Sequence, residues 1–186
     1  YFLQRQYDGL YRPIGLVSLW VDWKLFGEAL EWYHLQSVVL HLLNSLLVAQ
    51  LCRAVGYRGA ASTAAALVFA VAPAAFEAVA WPGARFDELS VLFSLLALIL
   101  GIRYSEACKS RATLIGACGC LALGLASKET AYAVPFLLVV LRMKRGAEGP
   151  KPEERQRWAR TIVSAFAVAA AGIVLRFVVV GGPGGY

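Results

Sequence analysis

The sequence predicts an all-α fold: a polytopic transmembrane helical bundle of about six spans with an interfacial amphipathic helix. Three observations carry this. The 186 residues are 59% hydrophobic and only 16% charged, with a mean hydropathy of +0.61, which leaves too little charge to clothe a water-soluble domain of this size. The apolar residues gather into windows of 13 to 22 residues separated by short polar clusters. The charges also sort by side once those windows are joined alternately. A net charge of +6 sorted in this way suits anionic lipid headgroups, so membrane lipids are expected partners and nucleic acid is not.

Residues 1–13, YFLQRQYDGLYRP, are polar and aromatic. IGLVSLWVDWKLFG (14–27) is too short to cross, carries Asp22 and Lys24 midway and is rich in Trp, which predicts an interfacial helix within an outer segment 1–32. Five spans follow in 33–142, at 33–54, 60–76, 87–104, 112–127 and 130–142, and a sixth at 161–180. The fifth has 13 residues, and Pro135 inside it predicts a kink. Residues 143–160 form a cytoplasmic loop, in which GAEGPKPEERQR (146–157) carries no fold signal. Residues 1–186 read as a single membrane domain cut from something longer, and no signal-peptide pattern shows. Cys52 and Cys108 fall near helix ends and Cys118 and Cys120 inside an apolar helix, as packed thiols rather than disulfides or metal ligands.

Sidedness fixes the topology. Counting from the side of residues 1–32, the opposite side receives 12 of the 18 basic residues, Arg53, Arg103, Arg142, Lys144 and Arg157 among them. The positive-inside rule therefore makes 56–59, 105–111 and 143–160 cytoplasmic. The acids divide the other way, with Asp8, Asp22, Glu28, Glu31, Glu77, Asp87, Glu88 and Glu129 outside. The expected setting is a bacterial inner membrane or an endoplasmic reticulum membrane, with the acidic side toward the periplasm or lumen.

Four stretches meet on that outer side: 5–13, 31–44, 77–88 and 127–132. Glu77, Trp81, Arg85 and Asp87 fall within eleven residues around a Pro-Gly turn. Trp81 reads as an interface anchor, and Asp87 as the cap of the next helix with Glu88 in its first turn. Lys128 and Glu129 stand between two spans, where ionisable groups face a cavity or a partner. Lys128 with Arg85 or Arg176 can hold a phosphate, although snorkelling also explains Arg176. His34, His41 and Asn44 share one helical face, the imidazoles about 10 Å apart along the axis, too far to grip one metal. They predict a polar face turned to the bundle, with His34 near an outer cavity and His41 deeper. Asp8, in YDGLYRP, is the acid available as a general base in the first segment, with Arg12 nearby.

Taken in order, these stretches resemble a known group. Tyr11-Arg12-Pro13, Tyr33-His34, His41-Leu42-Leu43-Asn44, Phe69-Ala70-x-x-Pro73-x-x-x-Glu77-x-Val79-x-Trp81-x-x-x-Arg85-x-Asp87 and Ser127-Lys128-Glu129 look like the amino-terminal membrane part of the GT-C glycosyltransferases. The nearest branch is the protein O-mannosyltransferase-like, tetratricopeptide-bearing transmembrane mannosyltransferases. The resemblance runs from about residue 7 to 142, with 161–180 fitting a following span. It implies a polyprenyl- or dolichyl-phosphate sugar donor, a protein or glycan acceptor on the outer side, inversion at the sugar and an acidic base from the first outer loop. Carried over by position, Glu77, Arg85 and Asp87 belong to the outer-loop part of the pocket, and Lys128 and Glu129 to the next. The chemistry agrees: a carboxylate deprotonates the acceptor hydroxyl while cations stabilise the departing lipid phosphate.

Two departures qualify the likeness. Relatives usually carry His before the Pro matched by Pro73, where this sequence has Ala72. They also carry the first outer-loop acid just after a preceding span. Asp8 is then not its equivalent, the base is expected upstream of residue 1, and the chain is a fragment of an enzyme. A need for a divalent metal is left open. Two other functions compete. A transporter or flippase of a lipid-linked substrate is disfavoured by polar residues clustering on one side rather than at the midplane. A structural membrane module would use the outer charges only as a solubilising rim.

Overall fold

The structure, a computed structural model, describes residues 11–73, 76–107, 110–145 and 151–180. Those residues are all-α: α1 (Pro13–Phe26), α2 (Leu30–Ala54), α3 (Ala60–Ala70), α4 (Phe76–Ala80), α5 (Arg85–Glu106), α6 (Arg111–Leu125), α7 (Val134–Arg145) and α8 (Pro152–Val180). Two 3-10 turns, Pro82–Ala84 and Glu129–Ala133, lead into α5 and α7.

Local chemistry sets several of these limits. Pro13 opens α1 with its φ already helical, and Gly27, at φ 56°, closes it in a conformation that a side chain would oppose. Gly56 and Gly59, at φ 105° and 62°, turn the chain between α2 and α3. Elsewhere the helices differ from the sequence reading. α3 stops at Ala70 after 11 residues, a rise of about 16 Å, well short of a bilayer core of about 30 Å. Pro135 is the second residue of α7 and starts a helix where it was expected to kink one. α8 begins at Pro152, inside the expected loop, because Pro at the first turn followed by Glu153 and Glu154 is a helix start. Asp87 is not a cap either. The helix begins two residues earlier, its N-cap position is Ala84, and Asp87 sits in the first turn.

α5 is the central helix and packs against α6, α2, α8, α7 and α1. Its residues Ala97, Leu98 and Ile102 join Leu121 of α6, Leu138 of α7 and Trp158 of α8 in the apolar core. Two helices, α2 and α8, are long and apolar enough to cross a membrane; the shorter apolar helices α3 and α6 are not. The outer surface is oily: Leu25 is 67% exposed, Phe76 75% and Val178 76%, while Arg85, Asp22 and Asn44 are wholly enclosed. Apolar groups outward and polar groups inward suit helices set in hydrocarbon rather than water. α1 shares this inversion. Trp20, Trp23 and Leu25 are exposed and its buried positions are Gly15 and Asp22, so it lacks the apolar inner stripe of the expected amphipathic helix.

The interhelical lock is Arg85, with 0% of its side chain exposed. It pairs with Asp22 of α1 at 2.9 Å and donates to Ser18 Oγ at 3.2 Å, to Gln36 Oε1 at 2.9 Å and to the Tyr33 carbonyl at 2.9 Å. Breaking such a pair from one side strands a charge at a cost of about 3–5 kcal/mol, whereas replacing both partners with apolar groups is nearly neutral. Arg85→Leu should therefore lower the melting temperature in lipid nanodiscs by roughly 5–15 °C, and Asp22→Leu/Arg85→Leu should recover most of it. An equal loss in single and double variants would refute the lock.

Candidate functional site

Four successive residues at the start of α5 fan out at about 100° each and divide the work. Arg85 points into the α1–α2 junction. Phe86 lies under α1, where a Cβ on Gly15 would meet its ring at 2.0 Å, so only glycine permits this approach. Asp87 faces outward and pairs with Lys128. Glu88 turns to α2, where Asn44 donates to its Oε2 at 2.6 Å and its backbone carbonyl at 3.0 Å, and His41 Nδ1 meets its Oε1 at 3.2 Å.

The Lys128–Glu129 pair is held just as closely. The Ile14 amide donates to the Ala126 carbonyl at 3.2 Å, which brings Arg12 to the end of α6. Glu129 then accepts from Arg12 at 2.8 Å and from Arg176 of α8 at 2.7 Å. Lys128 is fixed on its other side, its carbonyl accepting from Ser90, whose hydroxyl also meets that of Thr130 at 3.0 Å.

Two cavities open beside this ion cluster. The polar one, of about 440 Å³, is lined by Arg12, Glu77, Trp81, Phe86, Asp87 and Lys128. The apolar one, of about 330 Å³, lies between α6 and α8 and is lined by Leu125, Tyr132, Val168, Gly172 and Leu175, with Tyr11 and Arg176 also on its wall. Arg12 belongs to the first and Arg176 to the second, and both bond Glu129, so one carboxylate links a wall residue of each cavity. Glu77 is exposed, and its carboxylate makes no hydrogen bond or ion pair with the described residues. Among the described residues, no group of three or more His, Cys, Asp or Glu gathers that could hold a metal ion.

Of the residues singled out from sequence, Arg12, Glu77, Asp87 and Lys128 therefore meet around one cavity, with Glu129 and Arg176 behind it. Arg85 does not line that cavity, because all of its pairing runs inward. His34 is exposed in the first turns of α2, apart from the buried His41 and Asn44. Asp8 lies outside the described residues. Polar groups are not confined to one end, since the His41–Asn44–Glu88 cluster lies about 16 Å along α2. Asp22, Ser18 and Gln36 were missed as partners, yet an acid inside a helix as apolar as α1 is a signal that a buried cation must answer it.

The comparisons with known proteins agree in direction. Over 181 residues, 94% of the chain, it is 29% identical to "Protein O-mannosyl-transferase Tmtc2" of Drosophila melanogaster and covers 19% of that protein. It is 30% identical over 99 residues to "Protein O-mannosyl-transferase F38B6.6" of Caenorhabditis elegans, covering 14% of it. It is 37% identical over 102 residues to "Protein O-mannosyl-transferase tmtc2" of Xenopus laevis, covering 12% of it. The chain is a distant relative of these proteins. It spans less than a fifth of the length of each of the three. No family model matches, and no solved structure does.

Glu129 has a defined response to pH. Burial pushes its carboxyl up, but a backbone amide and the guanidinium groups of Arg12 and Arg176 outweigh this and hold it below the ordinary carboxylate value. A folded value below the unfolded one stabilises at all pH above the ordinary value, about 4.3, and that contribution disappears as pH falls through the lower folded value. Glu129→Gln should accordingly lower the melting temperature by a few degrees between about pH 6 and 8, with the gap to the parent closing below about pH 4. A gap independent of pH would remove the ionic clamp from the account.

Proposed function

We propose that the chain is the outer-face part of a multi-pass membrane glycosyltransferase, one that moves a sugar from a polyprenyl- or dolichyl-phosphate donor to a protein or glycan acceptor on the extracytoplasmic side. The observation that carries this reading is the pairing of a charged cavity with an apolar one whose wall residues Arg12 and Arg176 are bridged by Glu129. An isoprenoid phosphate is an amphiphile of that shape, with its tail along α6 and α8 and its phosphate toward Lys128 and Arg12. The inverted surface and the likeness to protein O-mannosyl-transferases support the same reading.

In the reaction the acceptor oxygen attacks the sugar's anomeric carbon as the bond from that carbon to the phosphate oxygen breaks, with inversion. The acceptor's proton passes to a carboxylate, and the lipid phosphate leaves carrying the electron pair. Among the described residues Glu77 is the carboxylate that faces the cavity without an ion pair, and it takes the base's role in place of the upstream acid expected from the resemblance. Asp87 is committed to Lys128, which it holds in place to meet the charge developing on the phosphate. Arg85 positions the first turn of α5 and takes no part at the reacting atoms.

Glu77→Gln in the full-length protein should reduce transfer on the order of 100-fold or more at unchanged protein level and melting temperature, as expected for loss of a general base. Lys128→Met should raise the KM for the lipid donor. Normal transfer by Glu77→Gln would remove Glu77 as the base, and normal kinetics in both variants would sink the cavity as an active site.

A further inference from the structure

Between α3 and α5, residues 76–84 (α4 and the 3-10 turn) make an arch that carries Glu77 and Trp81, one wall of the polar cavity. The arch rests on α2, which contacts both α4 and the 3-10 turn. Each of its feet is tied to a polar residue or carbonyl of α2. At the α5 foot, Arg85 donates to the Tyr33 carbonyl and to Gln36. At the α3 foot, His41 Nε2 lies 3.2 Å from the carbonyl of Ala70, the last residue of that helix.

The protonation of His41 follows from its neighbours. A carbonyl oxygen can only accept, so Nε2 carries hydrogen. Nδ1 faces Glu88 Oε1 at 3.2 Å, and a contact between an imidazole nitrogen and a carboxyl oxygen requires one proton between them, whichever atom holds it. Glu88 is oriented from its other oxygen by Asn44. The His41 ring also stacks on Phe69 at a centroid distance of 5.2 Å and 19° between planes, so the last turn of α3 is gripped both by its side chain and by its carbonyl. Carbonyls of a last helical turn have no partner within the helix, and a cationic or N–H donor is the group that satisfies them.

We infer that His41 is a positioning residue: its Nε2–H fixes the end of α3 and thereby sets where the Glu77–Trp81 wall of the cavity stands. The geometric part of this inference stands on its own, and its effect on transfer rests on the reading of the cavity given above.

The two functions of the ring can be separated. The amide nitrogen of Gln overlays Nε2 of His, whereas that of Asn overlays Nδ1. His41→Gln keeps the donor to Ala70 and loses the link to Glu88; His41→Asn does the reverse. Hydrogen–deuterium exchange of the full-length protein in lipid nanodiscs reads the arch without any need for activity. Residues 71–84 should exchange on the order of tenfold faster in His41→Asn than in the parent, and near the parental rate in His41→Gln, with α8 unchanged in both. In parallel, kcat for transfer should drop in His41→Asn with the KM for the lipid donor unchanged, and His41→Gln should restore it. Equal exchange of 71–84 in the two variants, whether slow or fast, overturns the inference. Separation in exchange with no separation in kcat upholds His41 as the anchor of the arch and counts instead against Glu77 as a participant in transfer.

Discussion

A guanidinium withdrawn from water must have its charge and its donors answered by the protein, and Arg85 imposes that demand where α1, α2 and α5 meet. Asp22 answers the charge, and Ser18, Gln36 and the Tyr33 carbonyl accept from the two terminal nitrogens, while the buried Nε–H has no hydrogen-bond partner among the described residues. In a bundle whose outer surface is apolar, helix faces of similar oiliness can slide past one another at little cost. A buried ion pair contributes little net stability, but a mismatched arrangement would leave two unpaired charges in a dry interior. The gain is in orientation: this placement of α1 across α2 and α5 pairs Arg85 with Asp22, and the start of α5 is held with it.

The remaining charges are organised outward from that fixed point. Arg85 faces in, Asp87 faces Lys128 and the cavity, and Glu88 faces His41 and Asn44. Charges that face the interior and a charge that faces the cavity thus occupy adjacent positions in the chain without sharing partners. The opposite end of the bundle has its own basic contacts: Lys144 donates to the Tyr57 hydroxyl at 2.6 Å, and Arg157 to the Ser105 carbonyl at 3.0 Å.

Much of this was legible in the residues, though unevenly. Helical character, the long runs of α2 and α8, the inward face of His41 and Asn44 and the gathering of Glu77, Asp87 and Lys128 all follow from hydropathy and spacing. The helix limits were less readable. Apolar composition continues from Ala60 to Phe76, but α3 ends at Ala70, because Ala and Val fit a helix or the chain beyond it equally well. The start of α8 was hidden in a stretch rich in Pro and Glu, residue types that favour a first turn as much as a loop. Arg85 was misjudged for a different reason. Proximity in sequence placed it with Glu77 and Asp87, but one helical step of about 100° turns a side chain from cavity to core. The acid in α1 that claims it is 63 positions away, and only the tertiary fold brings the two together.

The fan at the head of α5 also sets what kind of change this chain can absorb. Substitutions in Arg85–Glu88 touch one partner at a time. An insertion or deletion of a single residue just ahead of Ser90 would rotate all four side chains together by about 100°, presenting each charge to its neighbour's partner. The stretch from Arg85 to Ser90 is thus indexed like the teeth of a gear. Related chains should vary in length in the loops before it and after Glu106, and keep the count of residues across it constant.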